Sequence, residues 1–185
     1  MSKITFIIPS INRPSIVNSI NSLLNQTNPN WECIIVYDDV EGIKFEDNRI
    51  KTIKIQKTGK KGKGHGNAGL VRNKGIEICE TEWIGFLDDD DTIHCEYVET
   101  LFRKYQPYDF VVWRMKTIDG KIYPPINMNQ LLINKVGISL AFKTKIKNKL
   151  FDSNSDHEDF DFVDSLQKQT NNFIITSEIY YNIRH

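Results

Sequence analysis

Four adjacent carboxylates, Asp88-Asp89-Asp90-Asp91, close the apolar run Trp83-Ile84-Gly85-Phe86-Leu87. An apolar run of strand length that ends in acids puts those acids at the mouth of a buried sheet. Adjacent carboxylates repel one another, and a cation among them keeps them ionised. Hard divalent ions such as Mg²⁺ or Mn²⁺ take oxygen ligands and share them with substrate phosphates. The implied chemistry is that of a metal-bound, phosphate-containing substrate. The competing reading is a solvated loop, with Asp91-Thr92 capping a helix that begins near Ile93.

Two further groups could act on such a substrate. The basic loop from Gly59 to Gly66 precedes Ala68-Gly69-Leu70-Val71-Arg72-Asn73-Lys74-Gly75-Ile76. Its glycines, with the helix N-terminus that follows, can present N–H groups to an anion, and its lysines add charge. Gly64-His65-Gly66-Asn67-Ala68-Gly69 matches G-x-G-x-x-G only in letters, because several residues separate it from the strand ending at Ile55. The alternative for this stretch is a solvated surface loop. In the second group, Ser155-Asp156-His157-Glu158 fits a capping box, with Glu158 reaching back to the Ser155 backbone. Asp159 then falls just inside a helix, where it could take the proton of an attacking hydroxyl or merely favour the helix N-terminus.

The elements that must position these groups follow from apolar spacing. Ile4–Pro9, Trp31–Tyr37 and Trp83–Leu87 read as buried strands, Ile50–Ile55 as a half-exposed one, and Asp109–Lys116 as a further strand. Ile16, Val17, Ile20, Leu23 and Leu24 form one helical stripe after Pro14, and helices are expected over Asn67–Glu80, Thr92–Tyr105 and Asp156–Lys168. Asp119-Gly120 marks a hairpin turn, Leu131–Phe142 is ambiguous between helix and strand, and Phe173–Ile175 and Ile179–Ile183 read as two short strands. Buried strands alternating with helices predict an α/β fold, a mostly parallel central sheet with helices on both faces. Ligands bind such sheets beyond the carboxyl ends of the strands, where Asp38-Asp39 and Asp88–Asp91 both fall.

Length and composition set outer limits. At 185 residues one domain is expected, with residues 1–105 as a phosphate-ligand half and 106–185 as a second half. Lys+Arg and Asp+Glu are both 24, which argues against bulk nucleic-acid binding. Cys33, Cys79 and Cys95 have no Cys-x-x-Cys spacing and read as thiols in a reducing compartment. No signal peptide or membrane span is expected, so the location predicted is cytoplasmic. Trp83, Trp113, Arg114 and Tyr123 could stack on a sugar or pack in the core. His185 could reach a metal or be a frayed end.

With these pieces placed, the chain resembles the family 2 glycosyltransferases of the GT-A fold. The resemblance rests on Thr5-Phe6-Ile7-Ile8-Pro9-Ser10-Ile11-Asn12-Arg13, Ser22–Thr27, Ile34–Asp39, Arg72-Asn73-Lys74-Gly75-Ile76, Phe86–Asp91 and Glu158-Asp159, in that order. It implies that Pro9, Ser10, Asn12 and Arg13 line the base and ribose, with Asn67 also on the nucleotide-sugar. It implies that Asp39 accepts from a uracil N–H and that Arg72 faces the diphosphate or the base. Asp88 and Asp89 would contact ribose and sugar, Asp90 would hold Mn²⁺ or Mg²⁺, and Asp159 would be the catalytic base. The implied reaction is inverting transfer from a UDP-sugar to a glycan, lipid-linked or protein hydroxyl, and a homo-oligomer stays open. The chain departs from the family at Val40-Glu41-Gly42, at His94 and in its short second half. Two rivals stand beside this reading: a nucleotidyltransferase, and a non-catalytic nucleotide- or glycan-binding subunit of the same fold.

Overall fold

The computed structural model describes residues 2–58, 60–61, 65–147, 150–152 and 155–184. Gly59, Gly62, Lys63 and Gly64 of the glycine-rich loop, and His185, lie outside the described residues, so the expectations built on them do too.

The chain begins with β1 (Ile4–Ser10), α1 (Ile16–Leu24), β2 (Trp31–Asp38) and β3 (Ile50–Ile55). A two-residue ribbon, β4 (Lys60–Lys61) and β5 (His65–Gly66), leads into α2 (Ala68–Ile78) and β6 (Trp83–Phe86). Then come β7 (Thr92–Ile93), α3 (Tyr97–Thr100) continued by a π-turn over Leu101–Tyr105, and β8 (Phe110–Lys116). The remainder is β9 (Ile122–Tyr123), β10 (Leu140–Lys143), α4 (Glu158–Gln167) and β11 (Phe173–Asn182).

The main sheet runs β3-β2-β1-β6-β10-β8-β11-β7, with β9 on the flank of β8. β3, β2, β1 and β6 pair in parallel, so their carboxyl ends share one edge. That edge collects Ser10, Asp38 and the acidic turn after β6. β1 is buried along its whole length, which is why it reads as a continuous apolar run rather than an alternating one. Trp31, Trp83 and Trp113 are fully buried, so packing rather than sugar stacking accounts for Trp83 and Trp113. Arg114 is buried as well, donating to the carbonyls of Pro124, Ile126 and Met128.

Three expectations are corrected. Residues 92–105 are not one helix: Thr92–Ile93 pair with the end of β11, and helix begins only at Tyr97. Asp91 therefore caps nothing. The ambiguous Leu131–Phe142 stretch is irregular until β10, which inserts antiparallel between β6 and β8. The two short C-terminal strands are a single β11 along β8, with register shifts at the point where the apolar pattern lapses.

Candidate active site

The acidic turn is held from three directions. Leu87 N–H donates to Ile7 O at 3.2 Å, continuing the β6–β1 ladder to the turn. Ser19, buried on α1, donates its hydroxyl to Asp91 O at 2.7 Å and to Asp88 O at 3.1 Å. From the far end of the chain, the Tyr181 hydroxyl accepts the Asp88 N–H at 3.1 Å.

Each carboxylate then meets its own partner. Asp88 pairs with the Arg72 guanidinium. Asp89 is buried and accepts from Ser10 Oγ at 2.6 Å and Arg13 Nη1 at 2.7 Å. Asp90 sits further out, 3.2 Å from the same arginine nitrogen. Asp91 accepts the Arg184 N–H at 3.1 Å, and burial together with nearby Asp88 pushes its pKa up to about 7. The repulsion expected of four adjacent acids is thus met by two arginines and one reluctant carboxyl, a solution the linear sequence does not disclose.

A cavity of about 570 Å³ opens above the turn. Of the residues expected to bind a nucleotide-sugar, Pro9, Ser10, Arg13, Asn67, Asp88 and Asp89 line it, together with Asp90. Ile11, Asp38, Ala68 and Val71 complete the wall. Asn12 and Asp39 do not line it. Asn12 has φ 62° and ties the post-β1 turn to Glu41 O at 3.0 Å. Asp39, at φ 58°, is exposed, whereas Asp38 faces inward and accepts from Thr58 N–H and Oγ1 at 2.8 and 2.9 Å. Asp39, expected to accept from the base, thus lies outside the cavity, whose wall on this side is formed by Asp38 and Asn67. Asn67 donates to Thr58 O at 3.1 Å and has a buried Oδ1 with no partner among the described residues.

Arg72 is placed differently from expectation. It is buried beneath the cavity, not in its wall, and it spans from Asp88 to the start of α4. Its guanidinium lies 3.5 Å from Asp159 Oδ1 and 3.8 Å from Glu158 Oε1. Burial disfavours its charge, but Asp88, Asp159 and Glu158 outweigh burial and raise its pKa. The ring of Phe151 lies beside it at 5.6 Å, itself stacked on Phe162 at 4.2 Å.

The helix carrying Arg72 fits only because two glycines permit close approach. A Cβ on Gly75 would stand 2.5 Å from Ile7 of β1, and one on Gly69 would stand 2.7 Å from Phe151. Asn73 adds a two-way clamp, donating to Phe151 O at 3.0 Å and accepting Phe151 N–H at 2.9 Å.

The capping-box expectation fails. Helix α4 starts at Glu158, and Ser155 Oγ accepts the His157 N–H at 2.9 Å while donating to Asp161. Ser155 N–H is directed to Asp152 O, so Glu158 is released toward Arg72. Asp159 also borders a second cavity of about 190 Å³, shared with Asn134, Val136 and His157. Asp159 thus stands between Arg72 and that cavity.

Among the described residues no three His, Cys, Asp or Glu side chains converge as a ready-made metal cage. The donor set does suit a hard cation that takes one or two carboxylates and completes its shell with substrate phosphate oxygens. Asp88 and Asp90 are the open acids of the turn, at 28% and 27% exposure, whereas Asp89 is buried.

A mixed α/β sheet with acids at its parallel carboxyl edge and a carboxylate brought in by a later helix has the layout of the GT-A class of transferase fold. The chain belongs to glycosyl transferase family 2, whose model matches residues 5–163. It is 26% identical over 168 residues to the poly(ribitol-phosphate) beta-N-acetylglucosaminyltransferase TarP of Staphylococcus aureus, covering 83% of this chain and 51% of TarP. It is 34% identical over 95 residues to the Escherichia coli UDP-Glc:alpha-D-GlcNAc-diphosphoundecaprenol beta-1,3-glucosyltransferase WfgD, covering 48% of this chain and 35% of WfgD. The chain thus spans about half or less of these curated relatives. Its GT-A fold is that of S. aureus TarS residues 1–349, with a TM-score of 0.77 at 19% identity over 98% of this chain and 60% of that one. A complex of the same TarS region with UDP-GlcNAc matches at a TM-score of 0.74. Among the described residues no helix is long and apolar enough to cross a membrane.

Proposed function

We propose that this chain transfers a sugar from a UDP-sugar to a hydroxyl acceptor with inversion at the anomeric carbon. The observation that carries the reading is the Arg72 bridge, which ties Asp88 in the donor cavity to Asp159 at the mouth of the second cavity. The TarS complex with UDP-GlcNAc and the UDP-Glc donor named for WfgD support a uridine donor.

On this reading the base and ribose lie along Pro9, Ser10, Asp38 and Asn67, and the diphosphate lies over Arg13 and Asp90. Asp90, with a lining neighbour, would hold Mn²⁺ or Mg²⁺, which supplies charge to offset the departing diphosphate. Arg13 adds a positive charge at the cavity wall. The acceptor oxygen attacks the anomeric carbon as Asp159 takes its proton. The bond from that carbon to the phosphate oxygen breaks, and its electron pair leaves with UDP. Arg72 touches no substrate; it holds Asp159 in place.

The test is Asp159→Asn in the intact chain. The expected result is transfer reduced by at least about 100-fold, with UDP affinity retained. Near-parental transfer by this variant would remove Asp159 as the base. Failure of the parent protein to bind UDP would remove the donor assignment itself.

A further inference from the structure

A third cavity lies on the outer side of α1, apart from the donor cavity and from the one beside Asp159. It measures about 340 Å³ and is bordered by Asn18, Asn21 and Asn25 along one stripe of α1, with Thr92, Ile93 and Arg184 facing them. That volume falls at the lower end of the roughly 300–1,000 Å³ usual for small-ligand sites.

Of its polar lining, Ser22 Oγ donates to Ser19 O and accepts the Ile93 N–H, whereas Asn18, Asn21, Asn25 and Arg184 are exposed. Asn18, Asn21, Asn25 and Arg184 make no side-chain hydrogen bond or ion pair among the described residues. Asparagine is a poor helix former, so Asn18 and Asn21 work against α1 by about a few tenths of a kcal/mol each, while Asn25 is its C-cap. Their local effect on the helix therefore does not account for them. Ile93 and Thr92 are nearly buried and give the cavity a partly apolar floor. The backbone of Arg184 is pinned by Asp91, which leaves its guanidinium at the rim. None of the lining residues is acidic.

We infer that this cavity is a binding site for a polyhydroxylated molecule bearing an anionic group, an acidic saccharide or a polyol phosphate. Each amide offers both donors and an acceptor, which matches the dual character of sugar hydroxyls. The guanidinium fork suits a carboxylate or a phosphate. Ile93 supplies apolar contact for the C–H face of such a ligand. The site needs no metal and shares no lining residue with the donor cavity.

Cys95 makes the site measurable. It borders the cavity and is exposed, whereas Cys33 and Cys79 are buried. The experiment follows the rate at which an uncharged maleimide labels Cys95 in the intact protein. Trigalacturonic acid, glycerol 3-phosphate or maltotriose is titrated in, with UDP affinity measured on the same sample. The expected result is saturable, several-fold protection by at least one of the two anionic probes and none by neutral maltotriose. Which anionic probe protects separates the saccharide from the polyol phosphate. The protection is expected to vanish in Arg184→Gln and to weaken in Asn21→Ala, both surface changes, while UDP leaves it in place. No saturable protection by either anion, equal protection by maltotriose, or protection that survives Arg184→Gln would each overturn the inference. Because UDP binding is read separately, failure here is distinct from failure of the donor site.

Discussion

Arg72 is a buried cation facing three carboxylates, Asp88, Asp159 and Glu158, each a fifth to a third exposed, so its removal takes away a counter-charge they share. Breaking a fully buried pair by deleting one member costs about 3–5 kcal/mol, and the partial hydration of these carboxylates brings the cost here to about 2–3 kcal/mol. Arg72→Met is therefore expected to lower unfolding free energy by that order, read by urea denaturation. Arg72→Lys should fall between, because one ammonium cannot serve Asp88 and Asp159 at once. Asp91 gives a pH signature of opposite origin. Its folded pKa near 7 lies above an unfolded carboxyl near ~3.9. The folded protein therefore holds this proton more tightly, and stability falls as pH rises from about 4 through 7. That gap corresponds to on the order of 4 kcal/mol. Asp91→Asn keeps an oxygen for the Arg184 N–H without the charge. It should flatten the decline and be more stable than the parent at pH 8, in urea titrations at pH 5 and pH 8. An unchanged pH profile would show that Asp91 is not its source.

The α2 helix is fitted to β1 so closely that one methyl group decides its seat. Gly75→Ala would bring a carbon to 2.5 Å from Ile7 Cγ2 and should cost about 1–3 kcal/mol. Pairing it with Ile7→Ala, which removes Cγ2, Cγ1 and Cδ1, should cost less than the sum of the two single changes in a thermal melt. Elements of this kind were legible from sequence because their apolar spacing is local: β1, β3 and α1 lie where their patterns predict. Residues 92–93 were not, because Thr92-Ile93 owes its strand to Tyr181 and Asn182, almost ninety positions away. The same limit hid the insertion of β10 and the roles of Asp38 and Tyr181. The motif acids Asp88, Asp89 and Asp90 were legible because adjacency in sequence is adjacency in space within a turn. Arg72 was expected to face the diphosphate or the base, and its guanidinium instead packs against Asp88, Glu158 and Asp159, acids that only the packed position of α4 brings together.

At the level of the whole molecule, donor recognition and metal use can be read apart. UDP is expected to bind more tightly than ADP or GDP, because a wall with an oriented acceptor such as Asn67 Oδ1 rejects bases that leave it unpaired. Asp90→Asn should weaken Mn²⁺-dependent UDP affinity and leave metal-free affinity near the parental value, by calorimetry. Equal affinity for all three nucleotides would count against a uridine donor, and an unchanged Mn²⁺ effect would remove Asp90 from the metal. The clasp of the final strand on the acidic turn bears on synthesis as well. Asp88 takes its hydroxyl partner from Tyr181, and Asp91 its amide partner from Arg184. A ribosome makes the acids long before it makes their clasp. On the growing chain the parallel half of the sheet can pair while the turn beyond β6 is held on one side alone. The acidic turn therefore gains its second anchor only once β11 and Arg184 have been made, well after its own residues.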